Sequence, residues 1–110
     1  MAKKSYKQLF ESKQVTEELL LSCLTTCEHT IISNACLEKQ WSGGYGYMAE
    51  PYTEERLKWS GYREKIRKAL QSRYEMKKII AMSKTHKEQV APRIVKKAVE
   101  LIDSGDYTLI

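Results

Sequence analysis

The chain has 110 residues, enough for one domain and too few for two, and its 42% hydrophobic and 30% charged residues give it globular composition, not that of a disordered tail. Two prolines and five glycines are too few to punctuate a β-rich fold, no apolar run approaches the roughly 20 residues that span a bilayer, and three cysteines make an odd set unlike a closed disulfide framework. The net charge of +5 hides a segregation: Arg56 to Lys97 carries fourteen Lys or Arg against three acids (Glu64, Glu75, Glu88), which is +11 and leaves the rest of the chain at −6.

The opening Met1–Lys7 is basic but leads into a mixed segment, which is a poor secretory signal, so a reducing, cytoplasmic setting is expected. Ser5 can cap a short helix over 5–13 carrying Tyr6, Leu9 and Phe10. Thr16 reads as the N-cap of a helix over 16–39, with Glu17 and Glu18 set against the positive end of its dipole. At 100° per residue, Leu20, Cys23, Leu24, Cys27, Ile31 and Ala35 share a stripe, and Glu18, Ser22, His29 and Ser33 fall opposite. Three glycines within Trp41–Tyr47, then Glu50-Pro51, predict a glycine- and aromatic-rich loop over 41–52.

Thr53 is the expected cap of a helix over 53–83, on which Trp59, Tyr62, Ile66, Ala69, Leu70, Met76 and Ile80 share a broad face. Gly61 is its weak point. A turn at Ser60-Gly61 would instead give a helix-turn-helix with Arg63–Arg73 as the recognition helix. Thr85 to Glu88 fits a capping box, giving a short turn over 86–91, and Pro92 then opens a helix over 92–104 stopped by Gly105. The β-prone Tyr107–Ile110 is free either to dock on the body or to serve as a handle. The whole reads as a single all-α domain over 1–110, a small bundle of three to five helices.

The residues that look most like chemistry have plainer explanations. Cys23, Cys27, His29 and Cys36 are ligand types for zinc, but on one helix the first two share the apolar stripe while His29 and Cys36 project from nearly the opposite side. No metal site or cofactor is therefore expected. Nothing pairs a thiol with a base, and the doubled glutamates sit where helix dipoles want acids, so no catalytic residue is assigned and the protein is expected not to be an enzyme. Gly43-Gly44-Tyr45-Gly46 lacks the spacing of a phosphate-cradling loop.

Two features suit binding. Trp41, Tyr45, Tyr47 and Tyr52 form a candidate contact loop, since such rings stack on bases and anchor interfaces, although they can equally close the end of a bundle. Arg56, Arg63, Arg67 and Lys78, with Tyr74 among them, fall in one arc bordering the apolar face. Arginines beside an aromatic suit phosphates and bases, and equally suit carboxylates on a protein. The leading expectation is a non-enzymatic regulatory protein that binds nucleic acid through this arc. The alternatives are an inhibitor or adaptor of phage or mobile-element type docking on an acidic surface of a host protein, and a binder of a small anionic nucleotide at Tyr45 and Tyr47. A homo-oligomer, with a dimer the simplest, would bury stripes that so small a domain leaves open.

Overall fold

A computed structural model describes residues 5–41, 43 and 46–110, with Gly46 and Tyr47 described in the backbone alone. The first helix, α1 (Tyr6–Glu11), begins as a complete capping box: Gln8 N–H donates to Ser5 Oγ at 3.2 Å, and Ser5 N–H donates to Gln8 Oε1 at 3.0 Å. Lys13, in the left-handed region at φ 53°, turns the chain into the two-residue strand β1 (Gln14–Val15). Thr16 then accepts the Leu19 N–H at 3.0 Å, and α2 (Glu17–Trp41) follows.

Leu20, Cys23, Leu24 and Cys27 are buried along α2 as the stripe requires, and Ile31 and Ala35 are half-buried. Ser22 departs from expectation. It is buried along with Thr25 and Thr26, because residues 86–91 run across that side of the helix. That segment has no helical turn. Its backbone is extended, and the hydroxyls of α2 satisfy it: Thr26 Oγ1 donates to Val90 O at 2.8 Å and accepts Val90 N–H at 2.9 Å, and Thr25 donates to His86 O at 3.2 Å. Ser22 Oγ and His86 Nε2 are hydrogen-bonded at 2.8 Å. The capping box at Thr85 does not form, since Thr85 is the last helical residue before the segment and its hydroxyl donates to Met82 O.

A 3₁₀ turn (Gly46–Ala49) leads into α3 (Glu50–Leu70), which starts before Thr53. Pro51 sits in the first turn, where its missing N–H costs nothing, and the Thr53 hydroxyl donates to Ala49 O. The helix runs unbroken through Ser60 and Gly61, which excludes the helix-turn-helix. The chain breaks instead at Gln71–Tyr74, so the helix expected over 53–83 is two, α3 and α4 (Met76–Thr85). Tertiary contacts hold this break. Arg73 Nη1 and Tyr74 Oη donate to the two oxygens of Glu17, at 2.7 and 3.0 Å, and Arg73 Nη2 donates to Leu109 O at 2.6 Å. The break also shifts the helical phase, so that Ile79 is fully buried and Ile80 only partly.

The last helix, α5 (Pro92–Ser104), buries Val95, Ala98 and Val99 and ends at Gly105 in the left-handed conformation, φ 72°. Residues 107–110 fold back on the body: β2 (Thr108–Leu109) pairs with β1 in parallel, Gln14 opposite Thr108 and Val15 opposite Leu109. The molecule is an all-α bundle with this one small ribbon at its base. Its core joins Leu9, Val15, residues 19–27 of α2, Trp59 to Leu70 of α3, Ile79 and the inner face of α5. Beyond Cys27 no residue of α2 is buried, and in α3 the first is Trp59, so the upper α2–α3 hairpin projects as a two-helix arm from a body 55 × 28 × 25 Å overall.

Candidate functional site

The residues of the expected basic arc have different surroundings. Arg56 forms a two-point contact with Glu38 on α2 (Nε to Oε2 2.9 Å, Nη2 to Oε1 3.4 Å), which holds the Glu38 carboxyl below the usual carboxylate range. Arg63 Nη1 and Arg67 Nη2 both donate to Glu28 Oε1, at 3.2 and 3.4 Å, and Arg67 Nη1 donates to Glu64 at 3.2 Å. These three arginines line the α2–α3 seam, and the side chains of Arg63 and Arg67 are only 25% and 16% exposed. Tyr74 lies in the turn after α3, bonded to Glu17. Lys78 is exposed on α4, without an ion pair among the described residues. Three arginines are thus gathered along the hairpin, and Tyr74 and Lys78 stand apart from them.

Of the contact loop, Trp41 ends α2 and is 37% exposed, while Tyr52 is half-buried in the first turn of α3. Tyr45 lies outside the described residues, and so does the side chain of Tyr47.

The cations that remain open are on other elements. Lys77, Lys78, Lys84, Lys87, Arg93, Lys96 and Lys97 are all exposed, and none has an ion pair or hydrogen bond from its side chain to another described residue. One acid, Glu88, lies in the same stretch. On α5, Arg93, Lys96 and Lys97 share the outward face, opposite Val95, Ala98 and Val99. Arg93 and Lys97 also join Lys7 of α1 around a groove of about 520 Å³, floored by Phe10 and Ile94 and carrying one carboxylate, Glu11. The sequence held a signal for this redistribution. The pairs Glu28–Arg63, Glu28–Arg67 and Glu38–Arg56 are all centred near Tyr47, the midpoint of an antiparallel hairpin.

The cysteines carry no such chemistry. Burial pushes the Cys27 thiol up to about 12 and raises that of Cys23 as well, so both stay protonated at neutral pH and are neither nucleophiles nor ready ligands. Cys36 and His29 are exposed, on the side of α2 away from the Cys23–Cys27 stripe, and no cluster of three metal-ligating side chains exists among the described residues. Nor, among those residues, is any helix long and apolar enough to cross a membrane. Comparison with protein families, curated proteins and solved structures finds no match to this chain.

Proposed function

We propose that this chain is a non-enzymatic nucleic-acid-binding protein whose contact surface is the outward side of α4, the 86–91 segment and α5. The observation that carries this reading is the run of seven exposed cations without carboxylate partners between Lys77 and Lys97. Such charges can take the place of the cations condensed on a nucleic-acid strand, and the release of those counterions drives association. The groove shared by Lys7, Arg93 and Lys97 is the best-formed part of this surface, since its apolar floor can take the edge of a sugar or base.

Fluorescence anisotropy with a labelled oligonucleotide tests the reading. Binding should weaken with salt, with a log–log slope of about −4 to −6 if five to seven phosphates are contacted. Arg93→Glu with Lys97→Glu should weaken binding at least about tenfold without loss of helicity, whereas Arg63→Glu should chiefly destabilise the fold. No binding at about 20 mM salt sinks the proposal. A second reading, docking on an acidic protein surface, is favoured by Ile32 and Leu57, 59% and 57% exposed on the hairpin arm. It takes over if anisotropy stays flat while one protein is captured stoichiometrically and lost on Leu57→Ser.

A further inference from the structure

Both histidines of the chain, one near the middle of α2 and one in the segment after α4, line a single cleft of about 260 Å³ between α2 and α4. His29 and His86 meet there with Lys84 of α4 and Arg67 of α3. The charge of the cleft is one-sided. Its single carboxylate, Glu28, already accepts from two guanidiniums, while Lys84 has no partner among the described residues and Arg67 Nε is buried without a hydrogen bond. His29 adds an N–H donor in any protonation state, His86 adds Nδ1–H when its Nε2 accepts from Ser22, and the ammonium adds three. Ile32 and Ile80 form the apolar part of the wall, where charge is less screened than on the open surface.

Donors in this number, around an unbalanced positive charge, suit a compact anion with several acceptor oxygens. Lys84, His29 and His86 converge from three sides, which suits three acceptor oxygens, and the volume is ample for one hydrated phosphoryl group. A cation is disfavoured by Lys84 and Arg67. We propose that the α2–α4 cleft is a binding site for a phosphoryl dianion, either free phosphate or the terminal phosphate of a nucleic-acid strand. Lys84, His29 and His86 would be its direct partners, and Arg67 would supply positive potential from the wall. The site shares Lys84 and His86 with the proposed nucleic-acid surface but none of its α5 cations, so it stands whether or not α5 binds nucleic acid.

Having only two histidines makes the test direct. Inorganic phosphate is titrated into the full chain at constant ionic strength, and the two imidazole C–H resonances are followed by NMR. Both should move on one saturable curve with a dissociation constant of the order of 1 mM. Lys84→Gln or His29→Gln, each an exposed residue whose loss leaves the core intact, should weaken binding at least about fivefold, and Lys97→Gln on α5 should leave it unchanged. Linear shifts without saturation, movement of one histidine alone, or an equal effect of Lys97→Gln overturns the proposal. A short oligonucleotide with a 5′-phosphate that displaces phosphate, where its 5′-hydroxyl counterpart does not, identifies a strand end as the source. Equal indifference to both identifies free phosphate.

Discussion

One hydroxyl, that of Thr26, satisfies both backbone groups of Val90, donating to its carbonyl and accepting its N–H. Thr26 is 4% exposed, so neither water nor another side chain replaces it easily. Thr26→Val keeps the shape and removes both bonds, leaving two half-buried backbone groups unpaired. The expected loss is about 1–3 kcal/mol in urea denaturation, with Thr26→Ser much milder. This residue also marks where sequence reading stops. The caps at Ser5, Thr16 and Gly105 were legible because a cap is a contact between residues three or four apart. Periodicity sets Ser22 opposite the apolar stripe and assigns Thr25 and Thr26 no partner, because the segment that covers all three comes 61 to 64 residues later.

At the level of elements, the same distinction separates α5 from the α3–α4 break. Pro92 and Gly105 bracket α5 by backbone geometry alone, so its bounds could be read directly. The stretch Gln71–Tyr74 has neither glycine nor proline. It leaves the helix because Glu17 grips Arg73 and Tyr74 from the start of α2. Glu17 therefore does more than oppose the helix dipole, which is all its position predicts. The Arg73 bond, with help from Tyr74, holds its carboxyl below the usual 4.5. A group with a depressed folded value adds stability above the unfolded value and loses it as pH falls through the folded one. Stability should therefore be level above about pH 5 and fall below it, with Glu38 contributing in the same sense. Glu17→Gln should be less stable at neutral pH and show a shallower acid decline, read from urea midpoints across a pH series. An unchanged decline would mean that other carboxylates dominate. The ion pairs of the basic arc are hidden from the sequence for a related reason: helical phase puts Arg56, Arg63 and Arg67 on one side of α3, but only the hairpin puts Glu28 and Glu38 against them.

For the whole molecule, stability should be uneven along its 55 Å length. The base joins five helices and the ribbon around one core, whereas the arm, among the described residues, is two helices facing each other beside the 3₁₀ turn. Its ties among the described residues include the Arg56–Glu38 pair and half-buried side chains, and it leaves Ile32 and Leu57 more than half exposed. Cooperative protection follows buried contact, so amide exchange should divide α2 within its own length. Residues 31–41 and 50–57 should open at free energies at least about 1.4 kcal/mol, or tenfold, below residues 19–27 and 59–70. If two copies associate through the arm, burying Ile32 and Leu57, its protection should rise with protein concentration while that of the base does not. Uniform exchange along α2, independent of concentration, would mean that the Arg56–Glu38 pair and its half-buried neighbours hold the arm as firmly as the core. Arg56→Met would then abolish that uniformity, because it leaves Glu38 without its guanidinium partner.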